Sequence, residues 1–380
     1  MRHPEFPLSA ELIYLNHAAV APWPKRTSDA VCAFAQQNTV YGSLFYLDWI
    51  KKEAELRKQL KELINASSVA DIALVKNTSE ALSFVAYGLA WQAGDNIVSS
   101  NEEFPSNRIV WQSLDDQGVE FREAELSSAA TPEDALFALV DERTRLMTIS
   151  SIQFASGLRL DIDRIGQFCK DNNILFCVDA IQSIGAVQFD VQKCQADFVM
   201  ADGHKWMLGP EGLGVFYTSP AARETLKLSQ YGWHMMENTH NYENKPWKVH
   251  PSAQRFECGS PNTLGVHALS ASLSLLLETS MASVEKQVLD NARYLMQAIQ
   301  SCPYLQLLTD SKSTLQSGIV VFKHKHISKE TLYKYLQKNH VVCAMRGEGI
   351  RFSAHFYNSS EELDKAIALI PESITNQAGK

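Results

Sequence analysis

Three short stretches hold residues whose types and spacing could do chemistry. In "ADGHKWMLGPEGLG", Ala201 to Gly214, one lysine stands between a histidine and a tryptophan, with Gly203, Gly209, Gly212 and Gly214 around it. A lysine is ordinarily a solvated surface charge, and glycines around one imply a tight turn or a flat, bulky group in close approach. In "ILFCVDAIQS", Asp179 ends an apolar run that reads as a buried strand. A carboxylate there requires a cation or strong donors, although alone it also fits a turn or capping aspartate. In "KNTSEALSF", Thr78 and Ser79 open a helix after the strand "IALVK". Hydroxyls and free backbone N–H groups at such a start suit a phosphate, while a simple N-cap fits them equally.

Read jointly, the three stretches meet the demands of pyridoxal phosphate. The lysine supplies the amine for its aldehyde, the aspartate keeps the pyridine nitrogen protonated, and the protonated ring acts as an electron sink. The glycines are then expected to make room for the cofactor. An aromatic ring should lie against the pyridine face, and Phe104 in "EEFPSN", just past the strand "NIVSS", is placed for that. Taken alone, Phe104 reads as a core residue.

The elements that must position these residues follow from periodicity. Between about residues 50 and 220, helical segments alternate with short buried strands: "IKKEAELRKQLKELI" then "IALVK", "TSEALSFVAYGLAW" then "NIVSS", "SNRIVWQSLDDQ" then "TRLMTIS", and "DIDRIGQFCKDN" then "ILFCVDA", with "ADFVMAD" and "GVFYTS" closing the series. Such alternation predicts an α/β fold with a largely parallel sheet covered on both faces. Ligands of such sheets lie at the carboxyl ends of the strands. After "FECGSPNTLG" come two helical runs, 266–277 and 284–299, and then a compact strand and helix alternation that reads as a smaller domain.

The totals exclude several function classes. The chain has 380 residues, 45% of them hydrophobic and 21% charged, which predicts an ordinary globular protein with a large and a smaller domain. A net charge of -8, without clustered Lys and Arg, argues against a nucleic-acid surface. The seven cysteines form no CxxC pair, which fits reduced thiols and a cytoplasmic location, with no metal site. The prolines in "MRHPEFPLSAELIYL" speak against a signal peptide. The most apolar run, "ALSASLSLLLETSMA", is too short and serine-rich to cross a membrane.

The chain resembles the class V aminotransferase family of fold type I pyridoxal phosphate enzymes, which includes cysteine desulfurases, kynureninase and isopenicillin N epimerase-like proteins. The stretches that carry the resemblance are "YLNHAAVAPWP", "KNTSEALSFVA", "EEFPSNRIVW", "VDAIQSIGAVQFDV", "ADFVMADGHKWMLGPEGLGVFY", "FECGSPN" and "IRFSAHFYNSSEELDKAI". It implies a mostly parallel seven-stranded sheet in a large domain, residues 21–282, and a smaller α+β domain from 1–20 and 283–380. By the same resemblance Lys205 is the Schiff-base lysine, Asp179 the pyridinium partner, Gln182 and Gln153 donors to the ring oxygen, His204 a neighbour of the phosphate, and Thr78 and Ser79 its ligands. Ser260 would reach the phosphate of a neighbouring subunit, which implies a homodimer with shared sites. Arg351, with Arg346 and His17, would bind the substrate, Arg351 holding an α-carboxylate by a bidentate fork.

Two departures from the family pattern matter. Many relatives have serine where this chain has Asp202, a second negative charge beside a phosphate. Desulfurases that also take selenocysteine carry a nucleophilic cysteine on a loop between two arginines, whereas only "GEGI" separates Arg346 from Arg351, and Cys343 precedes both on the strand "VVCAM". Cys343 is expected to be a small buried hydrophobe. The reading is therefore an enzyme acting on an amino acid or amine by transamination, epimerisation or elimination. Its rivals are a cysteine desulfurase or selenocysteine lyase type of C–S lyase and, in another class, a non-catalytic ligand-binding protein on the same fold. A nucleotide-binding enzyme fails for want of GxGxxG or GxxxxGK[ST].

Overall fold

The computed structural model describes residues 3–239, 243 and 245–373. Strand β1 (Ile13–Tyr14) precedes two long helices, Lys25–Tyr41 and Tyr46–Leu63. The strands β2 (Ile72–Val75), β3 (Asn96–Ser100), β4 (Glu120–Ala124), β5 (Thr144–Ser150), β6 (Leu175–Asp179), β7 (Phe198–Asp202) and β8 (Gly214–Thr218) follow. They form one seven-stranded sheet in the order β2-β8-β7-β6-β5-β3-β4. Strands β4, β3, β5, β6 and β7 pair in parallel, and β8 runs antiparallel to both β7 and β2. All but β8 therefore point the same way, and their carboxyl ends open on one edge.

The central strands are buried throughout, so their sequences read as continuous apolar runs. Their side chains alternate between the faces: Phe198 and Met200 join a core with Phe84, Trp111 and Phe216, while Val199 and Ala201 join Leu60, Leu269 and Leu273 on the other side. Each large apolar side chain so buried contributes about 1.5–3 kcal/mol.

Beyond the helices Thr263–Thr279 and Met281–Ser301, strands β9 (Leu305–Leu307), β10 (Ile319–His324), β11 (Val341–Val342), β12 (Ala344–Arg346) and β13 (Gly349–Ser353) follow. Four of these make an antiparallel sheet, β12-β13-β10-β9, while β11 pairs in parallel with β1. A third core joins Ile13 and Leu15 to Leu295, Phe322, Phe352 and Leu363. The beginning of the chain thus packs with its C-terminal sheet. The last helix, Ser360–Ala368, is started by a reciprocal pair in which Ser359 and Glu362 each satisfy the other's backbone N–H.

Candidate active site

The carboxyl ends of the parallel strands and the tip of the C-terminal sheet enclose a cavity of about 320 Å³. Strand β6 delivers Asp179, the turn after it Gln182, the loop after β7 His204 and Lys205, and the helix after β2 Thr78 and Ser79; all line the cavity. Phe104 lies at its wall after β3, and Arg346 and Arg351 enter from β12 and β13. Residues more than 250 positions apart in sequence meet here because β13 lays Arg351 over the strand ends, where its Nη1 donates to the Phe154 carbonyl at 2.6 Å.

The electrostatics are those of a site built around charge. Burial pushes the Lys205 ammonium toward its neutral form, against the pull of Asp179. Asp179 is 2% exposed, and its Oδ1 accepts from the Ile181 N–H at 3.0 Å. Burial drives its proton affinity up, opposed by that bond and by Lys205. Arg351 is 1% exposed, with Nε and Nη2 unpaired, and the Nε of Arg346 is unpaired too. Burial first, and Arg346 second, lower the proton affinity of Arg351. A guanidinium stays protonated in proteins, so this shift marks a cation that lacks its anion.

At the opposite end, Asn77 caps the helix Thr78–Gly88 by accepting from the Glu80 N–H at 2.9 Å. The cap is therefore Asn77, and Thr78 is freed from that task; its buried Oγ1 has no partner. Ser79 donates to Ser106 Oγ at 2.9 Å, joining the starts of two helices. His204 Nδ1 and Asp202 Oδ1 stand 3.2 Å apart, out of line for a hydrogen bond. The Lys205 ammonium lies 5.6 Å from the centre of the Phe104 ring, whose edge meets Phe154. Phe104 is 40% exposed, at the mouth and not in the core.

Several expectations change. His17 is fully buried, its Nδ1 2.8 Å from the Ser353 carbonyl and its Nε2 2.6 Å from the Tyr357 hydroxyl, and it does not line the cavity. Both nitrogens are engaged, so in this structure it is a core histidine behind the cavity. Gln153 also lies behind the wall, its amide donating to Glu103 at 2.8 Å. Gln182 does line the cavity, but its amide donates to the Ala18 carbonyl and accepts from the Trp206 indole. Ser260 is exposed and outside the cavity of its own chain. The glycines do not make room for a ligand: a Cβ on Gly203 would strike the Leu213 carbonyl at 2.8 Å and one on Gly209 would strike Leu269 at 2.5 Å. They let the loop fold tightly onto β8 and the helix Thr263–Thr279.

Sequence reading passed over Ser106, Phe154 and Glu103. Glu103 stood in "EEFPSN" beside Phe104, where a carboxylate next to a candidate ring-stacking residue was the available signal. As a receptacle for pyridoxal phosphate the cavity fits: an orphaned hydroxyl and two helix starts at one end, a half-buried lysine and a buried aspartate at the centre, and guanidinium groups with unpaired nitrogens at the other.

Comparison with known proteins agrees with this geometry. The family model described as Aminotransferase class-V matches residues 13–366. A probable cysteine desulfurase of Methanothermobacter thermautotrophicus is 30% identical over 99% of this chain and 97% of its own length. A cysteine desulfurase of Pectobacterium carotovorum is 29% identical over 96% of this chain and 95% of its own length. Among solved structures, the apo cysteine desulfurase of Thermococcus onnurineus superposes with a TM-score of 0.85 at 23% identity, covering 97% of both chains. The cystine C–S lyase C-DES, in complex with its product cysteine persulfide, gives 0.88 at 21% identity, covering 95% of this chain and 97% of its own. These two likenesses speak to the fold.

Proposed function

The chain belongs to the aminotransferase class-V family of pyridoxal-phosphate-dependent enzymes, and from that premise we propose that it acts on an α-amino acid whose carboxylate is held by Arg351 and Arg346. The observation that carries this reading is the pair of cations with unpaired N–H groups facing the same cavity as Lys205 and Asp179. Pyridoxal phosphate bound there supplies an aldehyde carbon for the amine and a ring that withdraws electrons from the bonds around the amine's carbon. The protein's residues do the rest. Asp179 would hold a proton at the ring nitrogen, Lys205 would serve as the amine and proton carrier, and Thr78, with Ser79 beside it at the helix start, would hold the phosphate. Burial favours this use of Lys205, since an amine short of its proton is the nucleophile.

Sulfur amino acids are the substrates to try first, because similar chains are named cysteine desulfurases. No cysteine is among the described residues that line the cavity. Cys343 is 2% exposed in the core of the C-terminal sheet, and burial pushes its thiol up to about 12. In this reading sulfur leaves to a small acceptor and not to a thiol of the protein. A cytoplasmic location accords with seven free cysteines and with the absence, among the described residues, of a helix long and apolar enough to cross a membrane. The core that joins Ile13 and Leu15 to Leu295, Phe322 and Phe352 supports a small domain of 1–20 with 283–380 beside a large one of 21–282, and Phe6, Val284 and Val288 pack across the division into the large domain's core.

The test is direct. Purified protein is expected to be yellow, and borohydride reduction followed by peptide mass spectrometry should leave the cofactor on Lys205. Protein that stays colourless with added cofactor, or an adduct on another lysine, sinks the reading.

A further inference from the structure

Behind the cavity, Glu103 is 5% exposed and surrounded by donors. Its Oε1 accepts from the Ser150 N–H at 2.8 Å, the Gln153 amide at 2.8 Å and the Ser100 hydroxyl at 3.1 Å. Its Oε2 accepts from the Asn107 amide at 2.8 Å and the Ser150 hydroxyl at 2.5 Å. The orientation of Asn107 is fixed independently, because its Oδ1 accepts from the Trp111 indole at 2.9 Å and the Thr148 hydroxyl at 2.7 Å. Three of the donors to Glu103 are N–H groups, which cannot accept. Burial raises the proton affinity of Glu103, and the donors from Ser150, Gln153 and Asn107 oppose it; with five donors around its two oxygens, the carboxylate, an acceptor only, is the form that matches them all.

The anion lies next to the working residues. Ser150, which donates to Glu103 twice, is the register partner of Asp179 across β5 and β6, one strand spacing of about 4.8 Å away. We propose that Glu103 is a positioning residue of this site: a buried anion, clamped by β3, β5 and the helix Ser106–Gln112, that keeps the proton shared between Asp179 and the group Asp179 faces. The inference rests on the reading of the cavity as a pyridoxal phosphate site. Two buried carboxylates, with Ser150 between them, oppose each other's ionisation, so the charge of Glu103 makes loss of that proton harder. The raised proton affinity of Asp179 has burial as its first cause, with Glu103 and Asp202 adding to it. The other ionisable groups facing this region are Cys177 on β6, Asp202 on β7, Lys205 after it, and Arg346 and Arg351 on β12 and β13. Lys205 opposes the effect of Glu103 on Asp179, and Asp202 reinforces it.

The experiment is a pH titration of the visible absorbance of the cofactor-loaded protein, run on wild type and on Glu103→Gln, Glu103→Asp and Ser150→Ala. Removing the anion in Glu103→Gln should move the transition down by about one pH unit. Glu103→Asp, which keeps the charge, should leave it within a few tenths of a unit of wild type while losing comparable thermal stability. Ser150→Ala takes one hydroxyl from the carboxylate and leaves its charge less screened, so its transition should move up; it also serves if Glu103→Gln does not accumulate. A purely structural Glu103 would lower stability in the variants without moving the transition, and that result overturns the proposal. A wild-type protein with no visible band would instead overturn the cofactor reading, and this inference with it.

Discussion

Arg351 is buried with Nε and Nη2 unpaired, an arrangement that costs several kcal/mol until an anion arrives. If that anion is a substrate carboxylate, Arg351→Ala should weaken α-amino acids by about 2–5 kcal/mol while sparing simple amines. Spectral titration with paired amino acids and decarboxylated amines reads this difference. Equal weakening of both would remove the carboxylate assignment. In the same assay Cys343→Ser should leave turnover of cysteine unaltered, since its thiol is buried among Leu336, Val341 and Phe352; loss of desulfuration would return sulfur transfer to that thiol. At this scale the sequence was informative where a residue type was costly in its setting. A lysine among glycines and an aspartate ending an apolar run had to be explained, and both line the cavity. The place of His17 was not legible, because a histidine in a buried segment looks the same whether its nitrogens face a substrate or, as here, the Ser353 carbonyl and the Tyr357 hydroxyl. Gln153 failed similarly, since its partner Glu103 lies 50 residues away in the chain.

At the scale of elements, the strands that were legible are those buried on both faces. "NIVSS" and "TRLMTIS" coincide with β3 and β5 because continuous apolar character bounded by turn residues has few other readings. Strand β4, "EFREA", was invisible: it is an edge strand whose three charged side chains are exposed or half-buried, which suits a sheet edge but carries no apolar signature. The helix Lys25–Tyr41 also escaped, since Thr27 is its one fully buried position among the described residues, bonded to the Ser272 hydroxyl at 2.7 Å. The loop from β7 to β8 yields an element-scale prediction. At Gly203 the obstacle is a backbone carbonyl, which cannot swing aside, so Gly203→Ala should destabilise by about 1–3 kcal/mol in urea unfolding. At Gly212 a Cβ meets nothing nearer than 3.9 Å, and the cost is the backbone angle alone, φ +80°, so Gly212→Ala should cost about 1–2 kcal/mol. Only the Gly203 change is expected to loosen the cofactor as well, because Lys205 follows two residues on. Unchanged stability of Gly203→Ala would show that the loop is not packed as described.

At the scale of the whole molecule, the outer face at the junction of the helices Lys25–Tyr41 and Tyr46–Leu63 stands out. Val40, Tyr41, Leu44 and Leu47 are 61%, 56%, 72% and 72% exposed there. Single exposed apolar residues need no explanation, but neighbouring ones on two consecutive helices make a patch of the kind that marks an association surface. The homodimer implied by the family resemblance supplies an occupant: a second copy of this chain. Closed two-fold dimers are the commonest assemblies, and the exposed Ser260, outside its own cavity, accords with a residue that serves a partner's site. The wild-type chain should therefore sediment at twice its 42.5 kDa. Leu44→Asp with Leu47→Asp should sediment as a single chain, because two desolvated carboxylates at an apolar contact cost several kcal/mol. Since both positions are exposed in the single chain, the double variant should unfold at a similar urea concentration when compared at low protein concentration. If the sites are shared, it should also hold pyridoxal phosphate more weakly than the wild type. A wild-type protein that sediments as a monomer at tens of micromolar, with cofactor bound, would separate the site from any partner and leave Ser260 as a surface serine.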